Sequence, residues 1–269
     1  MTTIARGTAA PAPQLLSGPL RLATGLGRLL VVPAILFVAW AISAAALDSA
    51  VFPGPIEAMR GLGADLERAG FRASIVATVR SLTIAWLLAA VVGTLAGFLL
   101  GLSPFWSRVL ETPLFALYSI PKVTLYPVFL LFLGLGDVSR IAFAFFHGVF
   151  PMALLVMAAT AAIDKNYLKL ADVLVLPWHV KLRRILFPAL LPAIVTALRI
   201  AFGLTLLGLV LGEMFSSNVG LGRELVSNIA NVRVERIAGQ VVLIAVIAVI
   251  PGLALRWAEQ RVTSRYSPD

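Results

Sequence analysis

The sequence predicts an all-α membrane protein of six transmembrane helices, with both termini on the cytoplasmic side. Three observations predict it: an apolar composition, six hydrophobic runs of spanning length, and the distribution of lysine and arginine among the connecting segments. Of 269 residues, 60% are hydrophobic and 13% are charged, and the mean hydropathy is +0.96. A soluble domain is about 45–50% apolar and about 25% charged. The excess apolar surface needs lipid as its solvent.

A helix needs about 20 apolar residues to cross the hydrocarbon core. Four uncharged runs meet this length, at 29–47, 81–102, 141–163 and 237–255. Two more carry one cation each: 112–136 contains Lys122 and 185–212 contains Arg199.

Orientation follows from where the cations fall, because cytoplasmic loops carry more Lys and Arg. With the N-terminus inside, twelve cations lie in cytoplasmic segments and eight in external ones, while eight acids lie outside and five inside. The net charge of +9 is therefore assigned to loops at the membrane surface rather than to contact with nucleic acid. With no cysteine and only two histidines, His147 and His179, the chain offers no disulfide or thiolate metal site.

Residues 1–28, rich in Ala, Gly and Pro and free of acids, read as a flexible cytoplasmic tail. The apolar run after it exceeds the usual 7–15 residues of a signal-peptide core, so an uncleaved first span is expected. The organisation expected is thus a tail at 1–28, a first transmembrane helix and external amphipathic helix at 29–72, a core domain at 73–262 and a second cytoplasmic tail at 263–269. The amphipathic helix follows the turn Phe52-Pro53-Gly54-Pro55 and places Ile56, Met59, Leu62 and Leu66 at helical spacing. Prolines punctuate the later spans at 121, 127, 151, 188, 192 and 251, each removing a helical hydrogen bond and inviting a kink.

The longest internal polar stretch, 164–184, lies between spans four and five and carries five cations. Physical reasoning allows two roles for it: a docking lever for a soluble partner, or a loop held against anionic lipid. The sequence KLADVLVLPWHVKLRRILFPALLPAI at 169–194 resembles the coupling-loop motif of ATP-binding-cassette importer permeases. Ser119-Ile120-Pro121-Lys122-Val123-Thr124-Leu125-Tyr126-Pro127 and Phe132-Leu133-Gly134-Leu135-Gly136-Asp137 are similar to the third-span signature of one branch, the permeases for nitrate, sulfonates, taurine and related compounds. Phe150-Pro151, Leu198-Arg199-Ile200 and Gly220-Leu221-Gly222 match that branch as well, and the resemblance spans roughly residues 50–262.

The resemblance implies a type I importer permease fold in a bacterial inner membrane, with a cytoplasmic coupling helix between spans four and five. It implies contact of Lys169, Leu170, Ala171, Asp172, Val175, Leu176 and Pro177 with an ATPase dimer, and a translocation pathway containing Pro121, Lys122, Tyr126 and Arg199. It implies a second permease subunit, alike or different, and a periplasmic or lipid-anchored solute-binding protein that does most of the substrate selection. No cofactor is expected in this chain; ATP and Mg belong to the partner ATPase. Two positions depart from the family pattern: its glutamate falls on Lys169 and its glycine on Val175. Lys169 reverses the charge offered to the ATPase, and a β-branched Val175 resists a left-handed or tight conformation. A compensating acid on the ATPase and a second permease with the intact motif are both consistent with this.

Lys122 and Arg199 lie roughly 15 and 20 Å into their spans at 1.5 Å per residue. A charge at that depth faces a cavity or a partner, not lipid. Either the two cations line a pathway for an anion, or they join helices by bonding carbonyls freed by proline. Two other function classes are weighed. A stand-alone secondary carrier would be expected to show internal repeats, which are not evident. An intramembrane enzyme would need a nucleophile with its base or a metal cluster, and no such motif occurs; His147 reads as a packing residue.

Overall fold

The computed structural model describes residues 18–47, 49, 51–164, 166, 169, 171 and 173–266, with side chains from residue 31 to residue 264. Every regular element among them is helical. Residues 1–56 and 57–269 form two compact units.

In the first unit, α1 runs Gly18–Leu47 and carries Pro33 inside it. Trp40 donates from its indole to the carbonyl of Pro53 at 3.1 Å, holding the turn that follows.

The second unit contains most of α2 (Pro55–Glu67), α3 (Ala69–Gly101), α4 (Pro104–Ser119), α5 (Tyr126–Leu133) and α6 (Asp137–Ala161). After the segment 164–177 come α7 (Trp178–Lys181), a π-helical turn Leu182–Leu186, α8 (Phe187–Ser216), α9 (Leu221–Ala230) and α10 (Val234–Tyr266). Four helical stretches are long and apolar enough to cross a membrane: α3, α6, the run Trp178–Ser216 and α10. A fifth arises if the bent pair α4 and α5 counts as one span.

The centre of this unit is α6, packed between α3 and α8. The sequence explains the closeness of α3. Ala85, Ala89, Gly93, Gly97 and Gly101 recur every four residues and all are buried, forming a smooth strip along one face. A β-carbon on Gly93 would lie 2.6 Å from that of Met152 on α6, so only glycine allows the backbones this near. Small-residue strips of this kind drive helix association where lipid removes the hydrophobic incentive. Trp86 closes the third side, donating to the Leu198 carbonyl at 3.0 Å and meeting Phe202 edge-on.

The expected amphipathic helix forms as α2. The face it buries is Ala58, Leu62 and Asp65, while Ile56, Met59 and Leu66 stay exposed. Small size decides this: Gly61 and Ala58 let α2 lie against the start of α10, where Gly239 would clash with Ala58 if it bore a β-carbon.

Two prolines have visible consequences. Pro121 cannot donate to Leu117, and the residue before a proline is driven out of the helical region. Ile120 accordingly sits at φ −58, ψ 137, and the chain turns through 85° between α4 and the stretch Lys122–Leu133, which begins with the 3-10 turn Lys122–Leu125. Pro188 likewise cannot donate to Arg184, and its ring crowds that carbonyl. The helix widens into the π turn just before it.

Candidate functional site

The coupling segment ends in a recognisable cap. Leu176 donates its backbone N–H to the carbonyl of Ala171 at 3.0 Å, and Val175 between them has φ 50. This is the six-to-one closure of a helix C-terminus with a left-handed residue at the first position beyond the cap, a place that favours glycine. The expectation that Val175 resists the left-handed region is thus overridden. The cap forms around valine, at a local strain of about 1–2 kcal/mol. Lys169 is exposed, Ala171 is buried, Leu176 is half-buried, and Val175 and Pro177 are exposed. Leu170 and Asp172 lie outside the described residues.

The structure does not bring Lys122 and Arg199 to common partners. Lys122 Nζ donates to the carbonyl of Tyr118 at 2.6 Å and stands 4.6 Å from that residue's ring centre. The break at Pro121 leaves this carbonyl without its helical N–H, and the lysine caps it. Arg199 on α8 donates from Nε to Glu259 on α10 at 2.8 Å, and Thr196 one turn earlier donates to the other oxygen of the same carboxylate at 2.6 Å. Tyr126 is buried; its hydroxyl donates to the Gly212 carbonyl at 2.9 Å and its ring meets Phe143 edge-on. Pro121 is exposed and starts the 3-10 turn. His147 is buried, its Nδ1 bonding the Phe143 carbonyl at 2.9 Å, as a packing residue would.

A cleft of about 660 Å³ opens between α4, α6 and α8, lined by Glu111, Thr112, Tyr118, Pro151, Leu155 and Ile200 among others. None of Pro121, Lys122, Tyr126 or Arg199 lines it; Tyr118 and Ile200, adjacent to the two cations in bonding and in sequence, do.

Sequence reasoning missed two polar nodes at the other end of the long helices. Glu213 is fully buried; Thr78 on α3 donates to it at 2.8 Å, and the Gly222 N–H donates to it at 2.9 Å. The Leu221 N–H donates to Thr78 in turn. Gly220, at φ 133, must be glycine on two counts, its conformation and the carboxyl of Glu213 where a β-carbon would sit. This gives Gly220-Leu221-Gly222 a structural reason. In the second node Asp65, fully buried, receives Arg68 at 2.9 Å and Arg236 at 3.1 Å, and Arg68 also reaches Glu224 at 3.1 Å. Burial opposes the Arg68 charge, but Glu224 and Asp65 outweigh it and raise its pKa above the ordinary value. The only signal in sequence was a carboxylate placed beside an apolar run, which names no partner.

Long apolar helices packed through small residues define a multi-pass helical membrane protein. Residues 89–267 match the model of the family described as binding-protein-dependent transport system inner membrane component, and the chain belongs to that family. Membership makes it a transport permease rather than a catalytic subunit, and sets aside the lone-carrier and intramembrane-enzyme readings. It is similar to the putative aliphatic sulfonates transport permease protein SsuC of Bacillus subtilis, at 23% identity over 86% of this chain and 85% of that one. It is also similar to the nitrate import permease protein NrtB of Synechococcus elongatus, at 29% identity over 57% and 55%. A chain of the methionine ABC transporter MetNI in an inward-facing conformation shares the fold, with a TM-score of 0.58 at 18% identity, covering 72% of this chain and 95% of that one.

Proposed function

We propose that this permease spans a bacterial inner membrane six times with both termini inside. With a second permease subunit it forms the pathway of an importer for a small anion of the sulfonate or nitrate kind. ATP is hydrolysed by a partner ATPase dimer, which pushes on the coupling segment, and an external binding protein delivers the solute. The observation that carries this reading is the capped segment ending at Leu176, which stands directly before the 39-residue helical stretch Trp178–Ser216. A rigid cap joined to a long rod transmits displacement, and the Arg199–Glu259 pair would make α10 follow α8. The resemblance of 169–194 to the coupling motif, and the sulfonate and nitrate relatives, support the motor and the solute class. Lys169, Leu170, Ala171, Asp172, Val175, Leu176 and Pro177 form the ATPase contact, and Pro121, Lys122, Tyr126 and Arg199 shape the pathway through the bent third span and the fifth.

Reconstitution tests it. Vesicles holding this chain with its co-purified ATPase and binding protein are expected to accumulate a labelled sulfonate or nitrate only when ATP is present on the coupling side. Uptake without ATP, or purification of the chain with no ATPase, would sink the proposal. Single cysteines introduced in this cysteine-free chain at Val173 and at Val232 are expected to react with an impermeant maleimide from opposite faces of the membrane.

A further inference from the structure

We infer that the permease carries a binding site for one small oxyanion at the end of the bundle away from the coupling segment, built on the Nε and Nη2 of Arg140. The inference rests on the importer reading above for the direction of transport, and adds where an arriving anion first meets this chain.

Three observations carry it. First, two arginines share one carboxylate: Asp137 accepts from Arg80 at 2.9 Å on one oxygen and from Nη2 of Arg140 at 2.5 Å on the other. Two cations against one acid leave a positive charge over, and Glu213, the acid nearby, is taken up by Thr78 and the Gly222 N–H. Second, the fork of Arg140 is half used. Arg140 is 3% exposed, and its Nη1 donates to Ser217 and to the Val219 carbonyl. Its Nε is buried and finds no acceptor among the described residues. Arg68 shows the full fork in the same chain, giving Nε and Nη2 together to Asp65 at 3.2 and 2.9 Å. A guanidinium holds an oxyanion by two such parallel bonds. Third, Arg140 and Asp137 line a cleft of about 160 Å³ with Gly136, Ser217 and Asn218. That is several times the roughly 30 Å³ of a water molecule, room for a nitrate or a sulfonate head but not for a long organic body. Gly136 keeps one wall open, since nothing lies within 4 Å of where its β-carbon would sit.

An oxyanion entering this cleft displaces the Asp137 oxygen from Nη2 and takes Nη2 and Nε together, while Asp137 keeps Arg80. Two arginines then face one carboxylate and one anion, and no charge is left over. Half-exposed Asp137 can make that move, which enclosed Arg140 cannot. The site is placed for entry: α6 starts here and α8 ends here, whereas the coupling segment joins their opposite ends.

The test uses the full chain purified in detergent, with gluconate as the background anion. Sodium nitrate and sodium methanesulfonate are each expected to raise the melting temperature in a saturable way. Ser217→Asp sets a permanent carboxylate against Arg140; it is expected to melt no lower than the wild type and to lose the response. Arg140→Gln is expected to lose it too, from a lower starting melting temperature. In this cysteine-free chain Asn218→Cys reports on the site directly. An anionic methanethiosulfonate reagent is expected to label it roughly tenfold faster than a cationic one, and methanesulfonate to slow that labelling. Equal rates for the two reagents, or anion responses that survive Ser217→Asp, overturn the inference. So does protection by phosphatidylglycerol vesicles but not by methanesulfonate, which would assign the arginine to lipid. If the site fails while ATP-driven uptake persists, the importer reading stands. If the anion binds but uptake never occurs, the site stands and the importer reading falls.

Discussion

Arg199 and Glu259, sixty positions apart, meet at 2.8 Å and join the helix that follows the coupling segment to the last helix of the chain. The pair engages Arg199 with a neighbouring helix. Thr196 occupies the second carboxylate oxygen, so Glu259 has partners on both sides.

A double-mutant cycle measures that engagement. Arg199→Ala and Glu259→Ala are each expected to lower thermal stability in detergent, with a coupling energy of about 1 kcal/mol between them. Additive effects would show the pair to be idle.

The valine beyond α9, Val232, has φ 52, with the Arg233 N–H donating to the Asn228 carbonyl at 2.9 Å, and is expected to be improvable. Val232→Gly relieves about 1–2 kcal/mol of left-handed strain and loses about 0.5–1 kcal/mol to the freedom of glycine in the unfolded chain. The net gain should raise the melting temperature by a few degrees, while Val232→Ala, with a β-carbon of its own, should gain less. Equal behaviour of the two variants would contradict the cap geometry.

The strip on α3 makes a steep contrast. Gly93→Leu must displace α6 at Met152 and is expected to cost about 3 kcal/mol or more, seen as loss of monodisperse protein on size exclusion. Gly63→Ala on α2 meets nothing within 4 Å and is expected to be neutral or stabilising by up to about 1 kcal/mol.

Removing one hydroxyl tests the tie across the bent span. Tyr126→Phe keeps the edge-on contact with Phe143 and loses the bond to the Gly212 carbonyl, at an expected cost of about 1 kcal/mol. A melting temperature identical to wild type would show that this bond does not hold α5 against α8.

Much of the architecture was legible in the amino-acid order. The apolar runs at 81–102, 141–163, 185–212 and 237–255 each coincide with a long helix to within two residues at their ends, because spanning length and hydropathy are local quantities. The amphipathic helix after Pro55 was legible for the same reason, although which of its faces is buried was not. Small residues at Ala58 and Gly61 win that face by close approach, a property of the helix they meet. The sharp turn before Lys122 could be expected from Pro121, since a missing donor and a crowded preceding residue act within one turn.

What the tertiary structure alone decided is who meets whom and which conformations are imposed. Arg199 finds Glu259, Glu213 finds Thr78 across 135 positions, and Asp65 gathers Arg68 and Arg236. A polar side chain in a poorly solvating interior must find a partner, but its own sequence neighbourhood does not say which helix will supply it. Val175 shows the same limit from the other side. Its β-branch argues locally against a left-handed turn, yet the closure of the helix end onto Ala171 imposes one. A backbone cap formed by several groups together outweighs the preference of a single residue.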